Sequence, residues 1–254
     1  MSILMNYMSS RECKAYLDKG GDLVLVPLGT VARLGPHLPL GARGMVVSAI
    51  ARLMAEKYDG LSLTLIPYST VYDTFNQLGS MDIPPELMHK YCYNLCDELV
   101  ANGFKRIIFI SFQEELYYLS NEYFQEHNMA VIYMNPNSFF NTTNSTVSSL
   151  DVHGKELWRL VACLNALGDA KMLERIFEKT QTFFHDTAPE WQFYPVNLGK
   201  GLEEPSAAFE MPGQALLDKA TAELHSWIDN FSQPIADLSL YQNYLNGLTF
   251  KRPI

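Results

Sequence analysis

The chain has 254 residues, of which 48% are hydrophobic and 19% charged, a composition typical of a folded globular protein. Its formal net charge of −9 argues against nucleic acid and anionic membrane as partners, because neither attracts an acidic surface. The first residues lack a basic segment followed by a long apolar run, and no stretch approaches the about 18 apolar residues of a membrane span. We therefore expect a cytoplasmic protein.

Strand and helix patterns alternate over the first half of the chain. Apolar runs that end at turn residues indicate buried strands, and apolar residues at helical spacing indicate helices. In chain order they predict a helix around 9–19, a strand at 22–29, a helix at 44–58, a strand at 61–68, a helix at 84–104, a strand at 106–112, a helix at 113–128 and a strand at 129–135. This alternation predicts a mostly parallel sheet flanked by helices.

The second half of the chain is mainly helical, with a helical pattern at 153–180, a Pro/Gly-rich excursion at 187–213 and a last strong helix at 214–231. No repeat and no long polar linker divides the sequence, so we predict a single doubly wound α/β domain over residues 1–254. Ligands bind such sheets beyond the carboxyl ends of the strands. A functional site is therefore expected in the loops that follow the predicted strands.

Two of the four cysteines, Cys92 and Cys96, lie one turn apart on a predicted helix. They could form half of a metal site, or they could be small apolar residues on the buried face of that helix. Because no paired C-x-x-C spacing accompanies them, we favour the second interpretation.

The loop after the first predicted strand, VPLGTVARLGPHLPLG, resembles the loop P-V-G-S-x-E-Q-H-G-P-H-L-P-L-x-x-D of the creatininase (creatinine amidohydrolase) family. Three later segments resemble family motifs in the same order: LGSMDIPPELM (78–88), LVANGFKRIIFISFQEEL (99–116) and DVHGKELWRL (151–160). The resemblance implies a creatininase-like α/β fold and metal-dependent hydrolysis of small or cyclic amides at a two-metal site. It also implies a homo-oligomer, typically a hexamer.

The resemblance further implies that most of the family's metal ligands are missing. The Glu, His and Asp of the first motif fall on Ala32, Leu34 and Arg43, and the histidine of the third motif falls on Gln113. Aliphatic side chains have no lone pair, and a guanidinium is a permanent cation. Glu156 occupies the place of a family glutamate and could still bind a metal, but one carboxylate does not hold two divalent ions. We expect no metal site of the family type and no cofactor.

His153 falls on the position of the family's proton-transfer histidine, and Trp158 replaces a further glutamate. His153 and Glu156 are three residues apart at a helix start, so they share a face and could act as a base and its orienting group. They could equally form an ion pair at the helix terminus.

Arg43 and Arg33 are the most informative departures from the motif, since drift leaves small neutral residues more often than cations. Arg43 could fill the place of the metals by pairing with Glu156, Glu114 or Glu115. Alternatively it could bind a substrate carboxylate or phosphate, or it could point to solvent.

Further candidates for the wall of a ligand cleft lie in the loops and at the strand ends, where each also has an ordinary structural explanation. They are His37, Arg33, Gln113, Glu114, Tyr72, Phe112 and Trp158.

The leading hypothesis is a creatininase-fold protein that has lost the dinuclear metal site and acts as a scaffold or regulatory subunit, or binds a small ligand in the vestigial cleft. It would form a homo-oligomer or a mixed oligomer with an active paralogue. A second hypothesis is a metal-independent enzyme that hydrolyses, cyclises or eliminates from a small amide or lactam. It would use His153 as base, Glu156 to orient it, and Arg43 and Gln113 to stabilise negative charge.

A third hypothesis is a metal-dependent amidohydrolase with a rebuilt ligand set. It would require the following side chains to converge: Glu156, His153, Glu114 or Glu115, and His37.

Overall fold

The computed structural model describes residues 3–34, 38–71, 79–138, 152–176 and 213–236. The described residues form a four-stranded sheet in the order β2-β1-β3-β4, in which every pairing is parallel. The strands are β1 (Leu23–Leu28), β2 (Leu61–Ser62), β3 (Arg106–Ser111) and β4 (Val131–Met134). The predicted α/β class with a parallel sheet is confirmed.

Helices cover both faces of this sheet. They are α1 (Ser10–Asp18), α2 (Ala42–Lys57), α3 (Pro85–Ala101), α4 (Glu115–His127), α5 (Val152–Ala166), α6 (170–176), α7 (Gln214–Asp229) and α8 (Ser232–Ala236). Residues of α2, α5 and α7 form the core of one face, and residues of α1, α3 and α4 form the core of the other. None of these described helices is long and apolar enough to cross a membrane.

The sequence of β1 explains why it lies inside the sheet. All six of its residues are buried, and its side chains alternate between the two cores. Leu23 and Leu25 enter the core under α2, whereas Val24, Val26 and Leu28 enter the core under α3 and α4. A strand that buries both faces needs apolar residues at every position, which is why it reads as a continuous apolar run.

The prediction of a regular strand over 61–68 is wrong, because β2 ends at Ser62 and an extra residue precedes the point where pairing with β1 resumes. Leu63 donates its N–H to the carbonyl of Leu25, and Ile66 donates to that of Pro27, so three steps along this segment match two on β1. This bulge changes the side-chain alternation, so that Leu63 and Ile66 pack on one core and Leu65 on the other. Leu65 thereby reaches Gly44 at the start of α2 and Gly29 at the start of the loop between β1 and α2.

The helical pattern predicted over 153–180 is divided in the structure. Gly168 has a φ of +70°, and Asp169 returns its N–H to the carbonyl of Leu164, which closes the end of α5. The Asp169 carboxylate then accepts a hydrogen bond from the N–H of Met172 at 3.1 Å and starts α6. The rest of that pattern, 177–180, and nearly all of the excursion at 187–213 lie outside the described residues.

The Cys92 and Cys96 thiols are fully buried in the core between α3 and the sheet, and Cys163 is fully buried in the opposite core. Burial raises the pKa of Cys92 to about 12 and raises the pKa values of Cys96 and Cys163 as well. Within the described chain, no three His, Cys, Asp or Glu side chains are grouped so that they could hold a metal. The two helical cysteines are therefore core residues.

We expect one fast-reacting thiol in the native protein at pH 8, the half-buried Cys13, with the other three reacting on the time scale of unfolding. Titration with a chromogenic disulfide reagent measures this, and Cys13→Ser should remove the fast phase. Because the folded pKa values are raised, the unfolded thiols ionise first as pH rises above about 9. Stability should therefore fall between pH 9 and 12 in urea unfolding. Rapid modification of three or four thiols would contradict the assignment.

Candidate functional site

A cleft of about 450 Å³ lies beyond the carboxyl ends of the central strands, where ligands bind sheets of this type. Its described walls combine apolar, polar and charged side chains from the segments that follow β1, β2, β3 and β4. They are Thr30, Leu34, Arg43, Thr70, Val71, Phe112, Gln113, Glu114, Glu115, Tyr118 and Asn137.

Backbone hydrogen bonds fix the described part of the loop between β1 and α2. The N–H of Ala32 donates to the carbonyl of Leu40 at 2.9 Å, and the carbonyl of Val31 accepts from Met81 at 2.9 Å. Ala32 and Leu34 are buried, so they act as the apolar floor of this loop. Because the loop leads directly into α2, it sets the position of Arg43 in the first turn of that helix.

Arg43 is held by a buried carboxylate and an aromatic ring. Its Nε and Nη2 donate to Glu156 Oε1 at 3.3 and 3.2 Å, and its guanidinium lies 5.2 Å from the centre of the Phe112 ring. A cation in the first turn of a helix opposes the helix dipole, so it needs such a partner. Of the three alternatives for Arg43, the structure forms the pair with Glu156.

Arg159 approaches the same oxygen from within α5. Its Nη1 is 3.7 Å from Glu156 Oε1, and its Nη2 donates to the carbonyl of Asn137 at 3.1 Å. Burial lowers the pKa of Arg159; Glu156 opposes this shift, and the charge of Arg43 adds to it. Two guanidinium groups thus share one carboxylate, in a cluster whose side chains are 21%, 5% and 6% exposed for Arg43, Glu156 and Arg159.

Several predicted site residues do line the cleft, and others do not. Gln113, Glu114 and Phe112 belong to its wall beside Arg43. Trp158 instead packs against the core under α2, and Glu156 lies behind Arg43.

Arg33 also lies outside the described wall. Its backbone N–H donates to Ser80 Oγ at 3.1 Å, and partial burial lowers the pKa of its side chain. His37, Tyr72 and the side chain of His153 fall outside the described residues.

Sequence reasoning missed Thr30, Asn137 and Arg159, and it considered Glu115 only as a partner of Arg43 or as a ligand of a rebuilt metal site. Arg159 could have been found, because residues three apart on a helix share a face and Glu156 is its neighbour. Thr30 and Asn137 follow the ends of β1 and β4 by two and three residues, but only the folded structure shows that they line the same cleft.

Glu115 and Thr30 have unused hydrogen-bonding groups. Both carboxylate oxygens of Glu115 and the hydroxyl of Thr30 are buried, and none has a hydrogen-bond partner among the described residues. Buried polar atoms are almost always paired in native structures. Both residues line the cleft, so these oxygens could bond to a ligand or to water there.

The described positions that the resemblance assigns to metal ligands do not fit a pair of divalent ions. Ala32 and Leu34 offer no lone pair, and Gln113 offers only an amide. Glu156 Oε1 already accepts from Arg43, whose positive charge would repel a metal ion.

Solved creatininase structures resemble this chain over almost its whole length. A mutant creatininase described as "Zn-Zn type" has a TM-score of 0.69 and 11% identity, covering 93% of this chain and 100% of that one. A creatinine amidohydrolase (creatininase) has a TM-score of 0.68 and 14% identity over 93% and 99% of the two chains. "Creatininase Mn" has a TM-score of 0.67 and 12% identity over 93% and 100%. At such identities the likeness shows a common fold.

No curated protein sequence matches the chain significantly. The sequence profile of the family described as "Creatininase: Creatinine amidohydrolase" does match, over residues 6–228. This span includes all four described strands and the helices that position Arg43, Glu115 and Glu156. The chain therefore belongs to the creatininase family.

Proposed function

We propose that this creatininase-family protein binds a small ligand in the cleft, in a scaffold or regulatory role, and does not carry out a two-metal hydrolysis. The observation that carries the proposal is the cluster of Arg43, Glu156 and Arg159. Glu156 is the one carboxylate retained at a described ligand position of the family motif, and two cations neutralise it. A metal ion would have to displace Arg43 from Glu156, the one carboxylate among the described residues with which that guanidinium is paired.

The same cluster argues against the metal-independent enzyme that uses Glu156 to orient His153. Glu156 is only 4% exposed, and its Oε1 is engaged by Arg43. The negative charge of Glu156 already faces two cations, Arg43 and Arg159, so it would stabilise a protonated His153 less than an unpaired carboxylate would. Arg43 lines the cleft, whereas Glu156 is not among the described residues of its wall.

The cleft itself supports ligand binding. Its volume of about 450 Å³ lies within the usual range for small-molecule sites, which is about 300–1,000 Å³. Leu34, Val71 and Phe112 supply apolar wall, and Gln113 and Thr30 supply polar groups. A few polar groups in an apolar concavity are what such sites use to fix a ligand's orientation.

Assembly of several copies is part of this proposal, because the family resemblance implies a homo-oligomer. Large apolar side chains on the described surface, including Tyr68, Met81, Leu87 and Tyr91, are 45–59% exposed and could be covered by another copy or by an active paralogue.

The proposal predicts that the purified protein does not take up two divalent ions per chain. After dialysis against Zn²⁺ or Mn²⁺ and removal of free metal, elemental analysis should find well under one ion per chain, because no described ligand set holds two. Hydrolysis of creatinine and of five-membered lactams should not exceed the rate in buffer, while an active creatininase assayed in parallel turns over. Two ions per chain together with metal-dependent hydrolysis would overturn the proposal in favour of the rebuilt metal enzyme.

A further inference from the structure

A second pocket borders the cleft at the end of β4, which is an edge strand of the described sheet. Its volume of about 310 Å³ lies within the usual range for small-molecule sites, about 300–1,000 Å³. Its described wall consists of Tyr133 and Asn135 at the end of β4 and of Glu114, Tyr117 and Tyr118 at the start of α4. Glu114 and Tyr118 also line the cleft, whereas the other three residues belong to this pocket alone.

The rings of Tyr117 and Tyr118 stand at a steep angle to each other. Their centroids are 6.0 Å apart and their planes differ by 73°. Tyr118 is 68% exposed, so a ligand in the pocket can reach its ring. Two rings nearly at right angles form a corner that suits a rounded group, because such a group contacts both of them. A flat group could stack on only one.

The pocket lies in a negative environment. Glu114 is exposed, and no Lys, Arg or His among the described residues forms an ion pair with it. Burial raises the pKa of Tyr133, and the charges of Glu114 and Glu115 raise it further, so its hydroxyl stays neutral at physiological pH. Two carboxylates outweigh the charge of about +0.5 that the N-terminus of α4 contributes.

Tyrosine rings beside an unpaired carboxylate attract organic cations. The face of an aromatic ring carries partial negative charge, and it attracts a cation within about 6 Å of its centroid. An ammonium group with free N–H groups needs a hydrogen-bond acceptor for each of them when it leaves water. A fully methylated ammonium group has no N–H, so aromatic faces and one carboxylate are sufficient to replace its hydration.

We propose that this pocket binds the methylated ammonium group of a small organic cation, with the methyl groups against Tyr117 and Tyr118 and with Glu114 as the counter-charge. The assignment goes beyond the proposed function, because it adds a second site and does not depend on what the cleft binds. Recognition comes from the shape of the ring corner together with the carboxylate, so it requires both the charge and the methyl groups of the ligand.

Choline tests this assignment against two probes that each lack one of its features. One is its neutral carbon analogue, in which a tert-butyl group replaces the trimethylammonium group, and the other is methylguanidinium, a planar cation. All three are titrated into the protein by ligand-observed NMR at constant ionic strength, because salt screens the charge of Glu114. Choline should bind about tenfold more tightly than the neutral analogue, and more tightly than methylguanidinium.

Substitutions of two exposed residues separate the contribution of the ring from that of the charge. Tyr118→Leu should weaken choline binding about fivefold and barely affect the neutral analogue, because it removes the aromatic face and keeps apolar bulk. Tyr118→Phe keeps the ring and should bind choline as the wild type does. Glu114→Gln should weaken choline binding about twofold to fivefold, and less so at high salt.

Matched controls lie outside the wall of the pocket. Tyr91→Leu removes a ring that is 50% exposed on α3, and Glu98→Gln removes an exposed carboxylate of the same helix. Both should bind choline as the wild type does. Val71→Ala alters the cleft but not the pocket, and it should leave choline binding unchanged as well. Circular dichroism and unfolding midpoints verify that each variant is folded.

The outcomes separate this inference from the proposed function. If choline does not bind, or if either other probe binds as tightly, the pocket does not recognise a methylated cation and the inference is wrong. If Val71→Ala weakens choline binding as much as Tyr118→Leu does, choline lies in the cleft and the second site is wrong. The proposed function fails instead by uptake of two divalent ions with metal-dependent hydrolysis, which would leave the choline titrations as they are.

Discussion

Replacement of Glu156 by Gln is expected to lower the free energy of unfolding by about 3–5 kcal/mol, the range for breaking a buried ion pair by removing one partner. The substitution leaves the guanidinium groups of Arg43 and Arg159 close together around a neutral amide. The Glu156 and Arg159 side chains are 5% and 6% exposed, so water screens this repulsion poorly. Urea unfolding at one fixed protein concentration measures the change, because assembly would otherwise shift the apparent stability.

A second substitution distinguishes repulsion between cations from a general loss of packing. Arg43→Met alone keeps Glu156 paired with Arg159 and should cost less than Glu156→Gln. The double variant, Glu156→Gln with Arg43→Met, removes the repulsion between the guanidinium groups of Arg43 and Arg159. It should therefore be more stable than Glu156→Gln alone. Asp18→Asn, which breaks the exposed pair with Lys14, should change stability by less than about 0.5 kcal/mol. A cost below about 1 kcal/mol for Glu156→Gln would contradict a structural role for the cluster.

This cluster gives a physical reason why a family fold can persist without the family's ligands. The loop after β1 and the start of α2 have to meet α5 whether or not metal ions lie between them. A metal ion and its ligands would hold the loop, α2 and α5 together by attraction between opposite charges. In this chain, the ion pairs of Arg43 and Arg159 with Glu156 supply such an attraction. The cluster therefore joins the start of α2 to α5 beside the cleft.

Much of the fold could be predicted because it depends on local patterns. The strand–helix alternation predicts parallel strands, and the apolar runs of β1 and β3 identify the central strands of the sheet. The end of α5 could not be placed from periodicity alone, since the pattern continues past Gly168 into α6. The extra residue after β2 likewise cannot be predicted from the sequence, because it is defined by pairing with Leu25 and Pro27.

The candidate site could be predicted in position but not in detail. Ligands bind parallel sheets beyond the carboxyl ends of the strands, and this rule predicts where the cleft lies. Arg43 could be singled out because it stands where the first family motif has Asp. Arg43 pairs with Glu156, and the Glu115 carboxylate has no hydrogen-bond partner among the described residues. Both facts depend on distances between helices that are far apart in the sequence. Such distances are set by packing, which a single sequence does not display.

Replacement of Gly29 by Ala is expected to destabilise the protein by about 3 kcal/mol, the upper part of the usual range for overpacking. A Cβ at this position would lie 2.5 Å from the Cα of Gly44, so backbone rather than a flexible side chain opposes it. Relief requires β1 and the first turn of α2 to separate. Since that turn carries Arg43, the same movement should pull the guanidinium away from Glu156.

Gly44→Ala approaches the same contact from the other side and should behave differently. Its Cβ would meet the Leu65 side chain at 3.0 Å, which can turn aside, and alanine favours a helix interior by about 0.5–1 kcal/mol over glycine. We expect the free energy of unfolding to change by no more than about 1 kcal/mol. The comparison is informative because both variants add one methyl group beside the bulge that carries Leu65. If Gly29→Ala and Gly44→Ala changed the free energy of unfolding equally little, the close contact of β1 with α2 would not be what positions Arg43. The pairing of Arg43 with Glu156 would then have to be set by the position of α5.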